Sequence, residues 1–309
     1  MNKTSRNNTA FENPAYDNSG HDVWVSRSWA KINLGLQVLD RLPNGYHEIA
    51  TGFCFVNWSD RFEMKKADAF SLEMSDERLP SDHNNLIVKA VQMLRRYVDF
   101  DDAWAIYVDK IIPFGAGLGG GSSNAATMLR MLNKVVCPEL SLKDIHQLVS
   151  GLGADIPVFL HGKPGIGTGI GTEISFHDIQ PDAWILTVFP DIHVSTADAY
   201  KNCVPNNQPD FSLEHILLKE PLEEWRYLLS NDLEPWVIHQ NPMIGDIKDQ
   251  LFELGADYAA MSGSGSSVFG IFQQEFVAVD AYNQFTDWKL KTNITPPTFA
   301  PDFGVYRSS

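Results

Sequence analysis

Cysteine is scarce: there are three in 309 residues, Cys54, Cys137 and Cys203. They lie far apart and make no metal-ligand spacing, which excludes a disulfide scaffold and a structural zinc site and leaves packing as their role. Positive charge is also short. The 24 Lys and Arg stand against 39 Asp and Glu, a formal charge of −15. That balance argues against nucleic acid or an anionic membrane as the main partner. It leaves room for a small anionic ligand, which needs only a local cluster of donors, and Lys31, Lys110 and Lys163 all lie beside glycine-rich or polar segments. No apolar run is long enough to span a bilayer. The first 22 residues are polar and lack the apolar centre of a secretory signal, so 1–22 reads as a disordered leader. Glu12, Asp17 and Asp22 weigh against an organellar presequence, and a cytoplasmic, bacterial-type location is expected ahead of a plastid one. Three common motifs are missing as well. There is no G-x-x-x-x-G-K-[ST], no repeat of solenoid period, and no nucleophile elbow, since Gly263-Ser264-Gly265-Ser266-Ser267 lacks the final glycine.

What the chain does have is glycine in the right places. "GAGLGGGSSNAA", Gly115 to Ala126, packs five glycines into seven residues. Upstream, "AWAIYVDKIIP" alternates like a strand ending at Pro113. Downstream, "SSNAATMLRMLNKV" sets Ala126, Leu129, Leu132 and Asn133 at helical spacing behind a Ser/Asn start. A floppy surface loop has no need of that order. A strand, a glycine turn and a helix N-terminus together make an anion site, because unpaired amides and the helix field face a ligand that glycine lets come close. The embedded G-x-G-x-x-G (Gly115, Gly117, Gly120) is weak. Pro113 and Phe114 separate it from the strand, and the nearest acidic residue, Glu139, sits beside Pro138 before the next helical segment. Ser122 and Ser123 stand at the helix start. One hydroxyl would cap the helix and the other would face phosphate or a metal ion, with Ser123 preferred for the ion.

Strand-like and helical segments alternate through two α+β units, expected at 23–178 and 179–309 with the boundary near 173–180. "VWVSRSWAKINLGLQVL" reads as two strand-like segments. "NNLIVKAVQMLRRYV" reads as a helix, and "SLKDIHQLV" as another capped by Ser141 with Asp144. "LLKEPLEEWRYLLSNDLEPWVI" and "EFVAVDAYNQF" read as helical. Glycine clusters again at Gly151–Gly171 and at Gly263–Gly265. Three such elements suggest backbone packed round a ligand at a domain junction.

Several residues are candidates on their own chemistry. Asp155, after a glycine turn, is either an ordinary turn or cap residue or a carboxylate that accepts a hydroxyl proton or approaches Mg2+. Lys31 and Asn33 share one face of a strand, which is either solvated or turned toward a phosphoryl acceptor. Tyr46 and His47, after the Asn44-Gly45 turn, are either surface groups or a stacking and hydrogen-bonding pair for a planar base.

Taken together, "PFGAGLGGGSSNAA" and "SGSGSSVFG" resemble the phosphate-binding and C-terminal glycine motifs of the galactokinase, homoserine kinase, mevalonate kinase and phosphomevalonate kinase superfamily. "AKINLGLQVLDRLPNGYHEI" and "LGADIPVFLHGKPGIGTGIGTEI" narrow the resemblance to the branch that phosphorylates a cytidyl diphosphate of methylerythritol in non-mevalonate isoprenoid supply. The resemblance implies an N-terminal domain like the second domain of ribosomal protein S5 and a C-terminal ferredoxin-like domain. It implies ATP with Mg2+ as cofactor, and a small-molecule kinase that is a monomer or weak homodimer. Lys31 and Asp155 would be the catalytic pair. Pro113, Gly115, Ala116, Gly117, Leu118, Gly119, Gly120, Gly121, Ser122, Ser123 and Asn124, with Lys110, would hold the ATP phosphates. Asn33, Tyr46, His47, Thr196, Tyr200, Gly263 and Gly265 would meet the substrate, with Tyr46 and Tyr200 clamping the cytosine. Three features depart from the branch: the long leader, Ile111 where many relatives have arginine, and the loop "FPDIHVST".

Overall fold

Two strands of unusual length organise the first unit. The computed structural model describes residues 23–100, 103–149 and 151–308, so the expected leader lies outside the described residues. β1 (Val23–Arg41) and β2 (His47–Lys66) run antiparallel through the Asn44-Gly45 turn, where Gly45 takes φ +86°. The two segments expected in β1 are thus one strand. Register shifts at Trp29/Ala30, Leu34/Leu36 and Val38/Asp40 bend it and divide its side chains among three cores.

β3 (Ser71–Met74) pairs parallel with β4 (Trp104–Asp109), and β4 completes the path beside β2. Helices α1 (Leu86–Tyr97), α2 (Gly120–Val135), α3 (Leu142–Val149) and α4 (Ile156–His161) bury their apolar faces on this sheet. In α1 the face is Ile87, Val88, Ala90, Val91 and Leu94, begun by Asn85, whose side chain accepts from the Ile87 amide. The Ser141 and Asp144 side chains bond each other's backbone amides at the start of α3, as expected for a capping box with Asp in the acidic place. The short strands β5 (Gly165–Thr168) and β6 (Glu173–Phe176) extend the edge of β2.

The second unit is a four-stranded antiparallel sheet. β7 (Trp184–Phe189) lies between β10 (Lys291–Thr295) and β9 (Val268–Phe272), with β8 (Tyr258–Met261) outside β9. This is the ferredoxin-like order. Its helices are α5 (Thr196–Asn202), α6 (Leu213–Lys219), α7 (Leu222–Leu228), α8 (Glu234–Gln240), α9 (Pro242–Glu253) and α10 (Glu275–Asp287). The single helical run expected around residues 217–238 is three helices. Pro221 caps α7 and Pro235 opens α8, and neither ring can supply an amide to a continuing helix.

One expected boundary needs correction. β11 (Val305–Ser308) returns to pair with β1, the Trp29 indole N–H donates to the Asp302 carbonyl (2.7 Å), and Phe303 sits in the first core. β11 therefore belongs to the first sheet, and the second unit does not run unbroken from 179 to the end of the chain. The two units are also fused: Ala30, Ile32 and Leu34 share a core with Ile185, Phe269 and Ile271.

Candidate active site

A cleft of about 1030 Å³ opens where β1, the glycine loops and α5 meet. Its floor is set by α2. The helix starts at Gly120, inside the glycine run, and its cap residue Gly119 is left-handed (φ +69°) with no side-chain cap bond. The first intrahelical bond runs from the Ser123 amide to Gly119 O (2.9 Å). The amides of Gly120, Gly121 and Ser122 consequently have no partner within the helix and suit an anion. Glycine is obligatory at Gly117 (φ +75°), where a Cβ would stand 2.1 Å from the Ser262 carbonyl oxygen.

That close approach joins the two glycine loops. The Ser262 hydroxyl donates to Gly117 O (2.9 Å) and accepts from the Asn33 amide (3.1 Å). The Ser267 amide donates to Ala116 O (3.0 Å) and the Lys31 amide to Leu118 O (3.1 Å). Strand β1 and both loops are one bonded frame.

Lys31 and Asn33 project from the strand face whose solvation was open in the sequence, and both are buried, at 4% and 3% exposure. The Lys31 ammonium donates to Asn33 Oδ1 and to Gly117 O (3.1 Å) and lies 3.3 Å from Asp155 Oδ2. Asp155 occupies the cap position of α4 but makes no cap bond. Pro157, in that first turn, has no amide to offer, so the carboxylate is free to serve Lys31. The turn-or-cap reading of Asp155 does not describe what its side chain does.

Three expected phosphate contacts point elsewhere. Ser123 is fully buried: its hydroxyl donates to Trp29 O (2.6 Å) and accepts from Ser28 (2.7 Å), so it neither faces an ion in the cleft nor caps the helix. Ser122 is the serine on the cleft wall. Asn124 donates to Ser28 (2.9 Å) and to Asp60 (2.7 Å). Lys110 pairs with Asp60, which also accepts from the amides of Ile111 and Ile112 (2.8 Å each). These groups form a satisfied polar network under the loop, and Asp60, fully buried at its centre, was not anticipated. The signal was present: a lone acid inside the strand pattern "NWSDRF" needs partners if the strand is buried.

At the other end of the cleft stand Tyr46, 61% exposed, and His47. The Arg41 Nε–H donates to His47 Nε2 (3.3 Å). Burial first, and then the Arg41 charge, lower the His47 pKa below its ordinary value, so the ring is neutral at pH 7 with its proton on Nδ1. Tyr200 is largely buried, and its ring centroid lies 5.2 Å from that of His47. Burial, then the Asp155 charge, raise its phenol well above the usual range. The Tyr200 ring lies against His47 at an interplanar angle of 31°, and Tyr46 lines the same cleft. Thr196 bonds Ser264 hydroxyl to hydroxyl (2.8 Å), and both line the cleft with Gly263 and Gly265.

Known proteins match this frame. The profile for the GHMP kinases N terminal domain matches residues 85–163, and that for GHMP kinases C terminal matches 215–288. The 4-diphosphocytidyl-2-C-methyl-D-erythritol kinase of Chlorobium limicola is 40% identical over 91% of this chain and 98% of its own. A crystal structure of 4-(cytidine 5'-diphospho)-2C-methyl-D-erythritol kinase superposes with TM-score 0.75 at 29% identity, covering 88% of this chain and 99% of that one. Homoserine kinase from Cytophaga hutchinsonii (16% identical, TM-score 0.69, 96% and 100% covered) shares the fold. The chain belongs to the GHMP kinases, and within them to the 4-diphosphocytidyl-2-C-methyl-D-erythritol kinase family. Kinases of this class take ATP as phosphoryl donor. No helix among the described residues is long and apolar enough to cross a membrane.

Proposed function

We propose that the protein transfers the γ-phosphoryl of ATP to the 2-hydroxyl of 4-diphosphocytidyl-2-C-methyl-D-erythritol, a step of non-mevalonate isoprenoid supply. The observation that carries this reading is the Lys31–Asp155 pair, 3.3 Å apart, between the glycine frame and the aromatic end of one cleft. Asp155 accepts the hydroxyl proton. The Lys31 ammonium offsets charge that develops on the transferred group, and the buried frame spares it any reorganisation. The unpaired amides at the start of α2 hold the nucleotide phosphates.

Among the described residues no three His, Cys, Asp or Glu side chains converge as a metal cage. That suits Mg2+ arriving on the nucleotide, since Mg2+ keeps waters and phosphate oxygens as most of its ligands. Ser122 and Asp155 are the oxygens that would complete its shell, and the ion would supply charge neutralisation on the phosphates. Tyr46, His47 and Tyr200 receive the cytosine, and Asn33 and Thr196 the methylerythritol. Three buried free thiols, Cys54, Cys137 and Cys203, support a reducing cytoplasm as the setting.

The test is ADP release with Mg-ATP and the cytidyl substrate, run beside mevalonate and homoserine. Turnover with the cytidyl compound alone is the expected result. Equal or greater turnover with either control would overturn the assignment.

A further inference from the structure

We propose that Thr51 is a positioning residue for phosphoryl transfer, acting through Asn33 to keep an acceptor, and never a donor, against the Lys31 ammonium. The inference rests on the reading that Lys31 and Asp155 carry the transfer. Its source is a chain of hydrogen bonds whose direction is fixed at one end. Gly35 is the extra residue of a bulge in β1: Leu34 pairs with Gly52 and Leu36 with Thr51. Its backbone is left-handed (φ +69°), and a Cβ there would lie 2.4 Å from Leu229 Cδ1, so only glycine fits.

The Thr51 hydroxyl donates to the Gly35 carbonyl oxygen (2.7 Å). A carbonyl can only accept, so the single hydroxyl proton is committed there. Toward Asn33, Thr51 Oγ1 can then only accept, and it does so from Asn33 Nδ2 (2.9 Å). The amide is thereby turned with Oδ1 toward Lys31, which donates to it. The opposite flip would set an NH2 against an ammonium and leave the Thr51 oxygen unpaired. Thr51, Asn33 and Lys31 are 1%, 3% and 4% exposed, so water does not soften a wrong orientation.

The consequence is a division among the partners of Lys31. Asn33 and Gly117 O hold the nitrogen from rigid, buried elements, while Asp155 is 29% exposed and reaches it across the cleft. Asp155 can turn to take the substrate proton without the cation losing its seat. Without the Thr51 hydroxyl, the Asn33 amide has no fixed orientation and the ammonium loses one of its two anchors.

Thr51→Val keeps the shape and removes the hydroxyl. It should lower kcat about 10- to 100-fold, the worth of one hydrogen bond to a charged group. KM for ATP should stay within about two-fold, because the amides of α2 are untouched. Thr51→Ser restores the hydroxyl and should recover kcat to within about three-fold of the parent enzyme. If Thr51→Val does not fold, Thr51→Ala, which adds no atoms, takes its place. A kcat unchanged in the hydroxyl-free variant, an equal loss in Thr51→Ser, or a matching rise in KM for ATP would overturn the proposal. Lys31→Met is assayed alongside. If it keeps full turnover, the functional reading fails; if it loses turnover while Thr51→Val does not, only the role of Thr51 fails.

Discussion

Asp155 is held at the N-terminus of α4 by backbone geometry and at Lys31 by charge, yet among the described residues no other side chain pairs with its carboxylate. That combination separates chemistry from folding. Asp155→Asn keeps the volume, leaves an amide oxygen for the Lys31 ammonium and removes only the negative charge and the basicity. Turnover should fall about 10²-fold or more, because proton acceptance is worth that much in the transition state. Thermal stability should hold, since the buried Lys31 ammonium keeps Asn33 Oδ1 and Gly117 O as partners and the asparagine oxygen stands where the carboxylate did. The measurement is kcat beside the melting temperature for the same preparation. Near-normal turnover would remove Asp155 from this role, and a large fall in melting temperature would mean the pair is structural. Asp60 gives the opposite case. Its carboxylate is fully buried and accepts from Lys110, Asn124, Ile111 and Ile112, so its charge is consumed in building the frame.

The glycine loop that leads into α2 also joins the two units, and its glycines do not share one task. At Gly117 a side chain would meet the Ser262 carbonyl at 2.1 Å in a left-handed backbone; at Gly121 the nearest atom is Leu86 Cδ1, at 3.6 Å. Gly117→Ala should therefore destabilise by about 1–3 kcal/mol or more, from backbone strain and a broken loop contact. Gly121→Ala should change stability by at most about 1 kcal/mol, the scale of helix propensity, in the stabilising direction. Urea unfolding of the two variants checks this, and equal losses would mean that the loops are not locked at Gly117. Gly119→Val is a poor probe of phosphate alone, because its Cβ would enter the Phe159 ring at 2.7 Å.

The order of strand, glycines and helix was legible from residue spacing, as was the Ser141 cap. Directions were not. Lys110, Ser123 and Asn124 adjoin the glycines in the chain, so charge and polarity assign them to phosphate. Their actual partners, Asp60 and Trp29, lie 50 or more residues away and become neighbours only when β1 and β2 pair across α2. Helix starts were misread for the same reason: glycine is a poor helix former, and only the fold shows that α2 begins within the run.

The molecule as a whole is less divisible than its alternating pattern suggests. β11 closes the first sheet after the chain has built the second, and a common core spans both. At the aromatic end of the cleft Arg41 Nη2 donates to Lys201 O (3.0 Å), and His47 meets Tyr200. On the proposed reading the cytosine lies beside the His47–Tyr200 pair, with Tyr46, exposed on its turn, as the ring that covers it. The two tyrosines should then differ. Tyr46→Ala removes a stacking face and little packing, so affinity for the cytidyl substrate should weaken about 5- to 150-fold, from roughly 1–3 kcal/mol of base stacking. ATP affinity and melting temperature should be unchanged. Tyr200 is packed on the core of the second unit, so Tyr200→Ala should lower the melting temperature as well as substrate affinity. Separate titrations of each variant with substrate and with ATP decide the matter. A Tyr46→Ala protein that binds the cytidyl substrate normally would place the base elsewhere, and equal losses for both ligands would make Tyr46 a structural residue.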